Sequence, residues 1–163
     1  MVAAAMGAEG DLAETRLARG CRCFAIWVDG ALGGYGWLST GPEWIGELQL
    51  EISPRPGEAY IWNCVTVPAQ RRKGIFRSLL LGISEHMRKE GLQRLWIGSV
   101  DIPAETALGP AGFTPVLHFT VLHLAALHLT RVTGGDPSLA KERTDVLAVQ
   151  PGLSIRPTRR RRH

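Results

Sequence analysis

Apolar and polar positions along this chain switch between two periods, and the switches lay out its elements. Residues 9–19 predict a short helix. Acids lie early and arginines late, as the helix dipole favours, and Gly20 follows as a stop. From Cys21 to Val28 the period is that of a strand, and Asp29-Gly30 predicts a two-residue hairpin turn. The return strand, Ala31 to Leu38, carries Gly33, Gly34 and Gly36. These would weaken an ordinary strand, so they predict a bulge or a close backbone approach. Thr40 to Glu43 reads as a loop, and Trp44 to Ile52 alternates as a third strand. After a Pro54-Arg55-Pro56-Gly57 turn, Tyr60 to Val67 predicts a fourth strand, rich in aromatic and β-branched residues.

The period then becomes helical. Phe76, Leu80, Ile83 and Met87 share one face, with Leu79 beside them and Gly91 placed to end the helix. Leu95 to Val100 predicts a short buried strand. Pro103 to Ala111 predicts one or two helical turns closed by Gly112, and Phe113 to Leu124 returns to strand. Beyond Thr130 the pattern assigns no element, and no internal repeat is present. Three antiparallel strands, then a strand–helix–strand crossover over 60–100, predict a mixed α/β fold.

Composition narrows the class. With 163 residues, 45% apolar and 21% charged, the chain supports one domain with a real core, which excludes wholesale disorder. The net charge of +4 is a property of one end: residues 156–163 hold five arginines and no acid. Residues 1–155 then carry 14 basic against 15 acidic side chains, net −1. The expected division is one domain over 1–155 and a basic, disordered tail over 156–163, with non-specific affinity for polyanions. A body without a basic surplus is not that of a nucleic-acid binder, so no nucleic-acid partner is expected. Cys21, Cys23 and Cys64 make an odd count with no Cys-x-x-Cys, against a disulfide framework or a thiolate zinc site. Glu9, Asp11 and Glu14 interrupt any secretory signal. The run Val116 to Leu129 is too short and too polar to cross a bilayer. A soluble, cytoplasmic protein without a membrane or metal partner is expected.

The chemistry concentrates where the fourth strand meets the long helix, at Cys64-Val-Thr-Val-Pro-Ala-Gln-Arg-Arg-Lys-Gly-Ile-Phe-Arg-Ser-Leu-Leu80. Arg71, Arg72, Lys73 and Arg77 lie within seven residues without an acid, where a loop enters a helix. Backbone N–H groups and the positive dipole end point there too, and Gly74 permits a left-handed turn or close backbone approach. That combination suits a pyrophosphate.

Arg71-x-x-Gly74-x-Phe76 resembles the acetyl-coenzyme A loop of the GNAT N-acetyltransferase superfamily, with Phe76 where that family has Gly or Ala. Asp101-Ile-Pro-Ala-Glu-Thr-Ala-Leu-Gly-Pro-Ala-Gly112-Phe113 resembles its second segment, in which Asn is usual at the first position. The resemblance covers about residues 22–124. It implies a GNAT-like acyltransferase fold, a mostly antiparallel mixed sheet flanked by helices. It also implies acetyl transfer from acetyl-coenzyme A to an amine by direct attack, without a metal. Coenzyme A contacts would come from Arg71, Arg72, Lys73, Gly74, Ile75 and Phe76 at the pyrophosphate, from Cys64, Val65 and Thr66 along the pantetheine, and from Asp101. The splayed start of the fifth strand would open the reaction gap. Partners implied are a small-molecule or peptide amine and, optionally, a second copy of the chain.

Two departures bear on catalysis. The family often has a tyrosine acid four residues before the closing glycine, and Leu108 stands there. For a base, the fourth strand offers Glu58, sharing a face with Tyr60, Trp62 and Cys64 by parity, and Asn63, where an acid sometimes sits. Glu58 reads more readily as a solvated hairpin residue after Gly57 than as a base, and Cys64 as a small buried hydrophobe rather than a nucleophile. A coenzyme A ester-binding module without catalysis is therefore the alternative. His118, His123 and His128 recur every five residues, a spacing that separates neighbours on strand or helix alike. The five tryptophans all fall in predicted strands, where most should be core.

Overall fold

The computed structural model describes residues 6–99, 102–124, 127–134, 146–147 and 152–157. A 3₁₀ turn, Gly7–Leu12, enters α1 (Ala13–Ala18). Then follow β1 (Arg22–Val28), β2 (Ala31–Ser39), β3 (Glu43–Ile45), β4 (Leu50–Ile52) and β5 (Glu58–Thr66). A second 3₁₀ turn, Pro68–Gln70, leads to α2 (Ile75–Lys89), β6 (Arg94–Ile97) and α3 (Ile102–Leu108). A last 3₁₀ turn, Gly109–Ala111, precedes β7 (Leu117–Leu124), β8 (Leu127–Gly134) and β9 (Gly152–Pro157). The chain divides into two compact units, residues 1–41 with 54–113 and residues 42–53 with 114–163.

The first unit holds a four-stranded sheet in the order β1-β2-β5-β6, antiparallel except for the parallel β5–β6 pair. One sheet face carries Leu38, Ala59 and Ile61 against Leu79, Leu80, Ile83 and Met87 of α2. These helix residues include three of the four predicted from the 3.6 period; the fourth, Phe76, packs at the cluster's margin. The other face carries Tyr35 and Trp37 under Met6, Ala13 and Cys21, with Trp62 and Val65 at its margin.

The glycines of β2 explain how the layers come this close. A Cβ on Gly34 would stand 2.7 Å from the Val65 carbonyl, and one on Gly36 would stand 2.8 Å from Cys64 Sγ. The expected bulge is present twice: the β1–β2 register shifts at Ile26/Trp27, and the β2–β5 register shifts at Tyr35/Trp37. All five tryptophans do lie in strands, and Trp37 is fully buried while Trp27 is exposed.

In the second unit, the single strand expected over 44–52 is a hairpin, β3–β4. Its turn is closed by Gln49 N–H donating to Gly46 O at 3.2 Å, with Gln49 in the left-handed region at φ 49. Alternation on both sides of so short a turn reads as one strand. The antiparallel sheet β7-β8-β9 supplies two strands where the pattern assigned none. The β7–β8 register also sets His123 directly opposite His128, so chain reversal cancels the odd spacing. Arg156 and Pro157 pair with His128 and Leu127, so the expected tail boundary moves past β9; residues 158–163 lie outside the described residues. The edge of β8 supplies hydrogen-bond partners that a solvated tail lacks.

Candidate active site

Gly74 adopts φ 76, the left-handed conformation the sequence anticipated, and forms the N-cap of α2 without any capping side chain. The first helical donor is Ser78 N–H, to Gly74 O at 2.9 Å, which leaves the N–H groups of Ile75, Phe76 and Arg77 at the open helix start. Arg71, Arg72, Lys73 and Arg77 are all exposed around it. Lys73 Nζ donates to Gln70 Oε1 at 3.1 Å, tying that ammonium to the preceding turn. Ile75 is buried and Phe76 half-buried against the core, so these two face the loop only with their backbone. A Cβ at Gly74 would meet nothing within 4 Å; the space over the turn is open. Exposed cations around an uncapped helix start fit the pyrophosphate of a coenzyme A ester. Asp101 lies outside the described residues.

β5 leads from the core to this turn and changes character on the way. Its pairing with β6 runs from Glu58–Arg94 to Ile61–Ile97 and stops, whereas β5 continues to Thr66. Among the described residues, the parallel pairing holds from the start of β6 and ends at Ile97. Trp62 to Thr66, and so Cys64, Val65 and Thr66, have no strand partner on that edge among the described residues. On its other edge β5 bulges: Trp37 pairs with Trp62 and Tyr35 with Val65, so Asn63 and Cys64 together oppose Gly36. Asn63 absorbs the extra residue at φ 46.

That bulge overturns the parity argument. Ile61 and Cys64 pack on the α2 side, while Trp62 and Val65 pack on the opposite side. Cys64 therefore does not share a face with Trp62. Burial, with the nearby Cys23 thiol adding to it, pushes the Cys64 thiol up to about 12. A thiol protonated throughout the physiological range is a packing group, as expected.

Glu58 is neither a solvated hairpin residue nor near the gap. It is 7% exposed and accepts from Trp96 Nε1 at 2.8 Å, Arg94 Nη1 at 3.0 Å and Arg55 N–H at 3.3 Å. It lies roughly 16 Å along the strand from Asn63, at about 3.3 Å per residue. Its burial and three donors tie Glu58 into the closed end of the strand pair. Tyr60 is buried beside the gap: a Cβ built on Gly98, just past β6, would lie 3.6 Å from its hydroxyl. Leu108 packs at the margin of the core, and Gly112 closes the segment at φ 89, with Phe113 N–H donating to Leu108 O at 3.0 Å.

The residues that sequence reasoning missed come from the N-terminal segment. Asn63 Nδ2 donates to Glu9 Oε2, and Arg16 Nη2 donates to the same oxygen at 3.1 Å. The Arg16 guanidinium is buried over Trp62 and Trp37, 4.5 and 5.2 Å from their centroids. Burial, then the Glu9 charge, raises the Tyr35 hydroxyl above its ordinary value. No spacing rule announces a contact across 54 residues.

Among solved structures, the chain is similar to an aminoglycoside acetyltransferase from an uncultured soil metagenomic sample, in complex with sisomicin. Identity is 15%, over 64% of this chain and 63% of that one, with a TM-score of 0.46. It is similar to a Bacillus subtilis acetyltransferase in complex with CoA at 21% identity, over 69% and 62%, with a TM-score of 0.49. It is also similar to a ribosomal-protein-alanine N-acetyltransferase from Brucella melitensis biovar Abortus at 16% identity, over 73% and 81%, with a TM-score of 0.51. The chain spans less than two thirds of the length of the first two. The third shares its fold. No curated protein matches in sequence. The family model described as "Acetyltransferase (GNAT) family" matches residues 4–109. That match covers well over half of the sequence and includes the parting strands and the Gly74 turn, and the chain belongs to the GNAT acetyltransferase family.

Proposed function

We propose that the protein transfers an acetyl group from acetyl-coenzyme A to an amine by direct attack. The observation that carries this reading is the continuity of a strand edge, Trp62 to Thr66, unpaired among the described residues, with the uncapped, cation-ringed start of α2. Backbone N–H groups of residues 71–76 hold the pyrophosphate, with Arg71, Arg72, Lys73 and Arg77 around them. The edge from Cys64 to Thr66 takes the pantetheine amides as a further strand would, and Asp101 is proposed as a contact of the same ligand. The bound thioester supplies an acyl carbon open to a neutral amine, and a thiol of ordinary acidity leaves without obligatory help. The protein's contribution is chiefly orientation within the gap beyond Ile61 and Ile97. Asn63 sits at that gap, and Tyr60 is the hydroxyl beside it. The acceptor is a small-molecule or peptide amine, and the reaction is a cytoplasmic one.

One observation favours the second reading, a coenzyme A ester-binding module with little catalysis: Leu108 packs against the margin of the core where the family often has an acid. Thioester consumption measured across an amine panel, with calorimetry for coenzyme A, separates the two. Binding and transfer support the first reading, and binding alone supports the second. Absence of binding at millimolar coenzyme A overturns both.

A further inference from the structure

We propose that β1 is a self-association edge, at which two copies of this chain join their sheets by antiparallel β1–β1 pairing about a two-fold axis at Ala25. The proposal is independent of which reading of the function holds. β1 is the outer strand of its sheet and pairs, among the described residues, with β2 alone. It is seven residues long, and from Cys23 to Val28 it carries neither charge nor proline. Charge and proline are the devices that usually keep an edge strand from pairing. The β1–β2 register sets Ile26 opposite Gly34 and Trp27 opposite Leu32, so the extra residue of that bulge is Gly33, in β2. β1 itself alternates without a break and presents a regular ladder to a further strand.

The side chains around this edge fit a second copy. A groove of about 180 Å³ runs between the two elements, with Phe24, Ala25 and Ile26 on the β1 wall and Ser78, Leu79 and Gly82 on the α2 wall. Pairing about Ala25 sets Phe24 opposite Ile26 of the other copy, an aromatic against a β-branched residue, on the groove side. On the reverse side it sets Trp27, 45% exposed, opposite Cys23 and so covers the indole. The helix residues that border the groove from outside are small. Ser78 and Gly82 are both exposed, one turn apart, and a Cβ on Gly82 would meet nothing within 4 Å. Leu81, the next residue, is 44% exposed. Two α2 helices related by the axis therefore have room to approach over the joined strands. Charges at the Arg22 end are matched within one copy, Arg22 by Glu90 at 2.9 Å and Lys89 by Glu85 at 2.8 Å. An edge that is apolar at its centre and self-neutralised at its end suits its own copy better than a charged peptide or a nucleic acid. The joined sheet keeps β5 and β6 on its far side, away from the interface.

Sedimentation equilibrium on the full chain tests this, and wild type should show the mass of two 17.8 kDa chains. Gly82→Glu adds a side chain into open space and sets like charges near the axis. It should weaken association at least about tenfold with an unchanged thermal melt. Gly82→Lys should do the same, and a mixture of the two variants should dimerise again, because a two-fold axis brings each position against itself. Trp27→Lys charges the strand edge directly, should also weaken the dimer, and decides the matter if the Gly82 variants do not fold. A wild type that stays monomeric at its highest soluble concentration overturns the inference. So does a dimer that none of the variants weakens, or a charge-swapped mixture that stays monomeric.

Discussion

The two halves of β5 are built from one continuous strand and live under different physics. From Glu58 to Ile61 the strand is buried and paired with β6, from Tyr60 onward with β2 as well, and its one carboxylate is surrounded by three donors. From Trp62 to Thr66 it is half-buried and, among the described residues, paired only with β2, and it carries a left-handed Asn63. The closed half spends its polar groups on the fold. The open half leaves backbone N–H and C=O groups without strand partners among the described residues, and in a sheet interior that arrangement is costly unless water or a ligand satisfies them. On the reading proposed above, function belongs to the open half, while the strand's one carboxylate is held by its three donors in the closed half.

The comparison breaks most visibly at Glu58. Glu58→Ala should destabilise the protein by about 3 kcal/mol, by leaving Trp96 Nε1 and the Arg94 guanidinium without their acceptor. Coenzyme A affinity per folded molecule should be unchanged. Denaturant melts beside calorimetry check this, and a normal melt with lost binding would place Glu58 in the open half.

Gly74→Val should show the opposite profile. It should cost about 1–2 kcal/mol of stability, because a β-branched residue is forced to φ 76. Coenzyme A binding should fall below calorimetric detection, because the branched side chain occupies the open space above the turn. Unimpaired affinity in a folded variant would remove the pyrophosphate assignment.

Cys64 sharpens the comparison through pH. Its thiol is held near 12 in the folded state, against an ordinary value of 9. Above that ordinary value the unfolded chain loses a proton that the folded one keeps, so this contribution to stability declines as pH rises from 9 towards 12. Wild type should therefore lose stability relative to Cys64→Ala across that window and not below it. Parallel curves would mean that the thiol is accessible and that the bulge does not turn it inward.

The smallest effect should come from the terminal arginines. Truncation after Pro157 keeps all of β9 and should change coenzyme A affinity by less than about twofold at physiological salt, since the proposed pyrophosphate contacts draw on none of residues 158–163. A tenfold loss would show that the ligand is held by charge at long range, not by the open edge and the helix start.

Much of this protein was determined by the sequence alone, wherever a local rule suffices. The helical face of Leu80, Ile83 and Met87 fixes how α2 lies on the sheet, because a 3.6 period has one buried solution. Gly74 and Gly112 announce left-handed turns, because other residues pay a steric cost there. The glycines of β2 announce a close approach, though not to which atoms. What only the tertiary structure decided depends on distant partners. One extra residue at Asn63 turned Cys64 to the other face, and a bulge carries no sequence mark strong enough to override alternation. Arg94 and Trp96 made Glu58 structural from 36 and 38 residues away. The β8 ladder ordered 152–157, whose own pattern is too short to declare a strand. Glu9 reached the parting of β5 and β6 only because the N-terminal segment lies across the face of Tyr35 and Trp37. Periodicity reports which way a residue faces within its element, and chemistry at a site depends on which elements then meet.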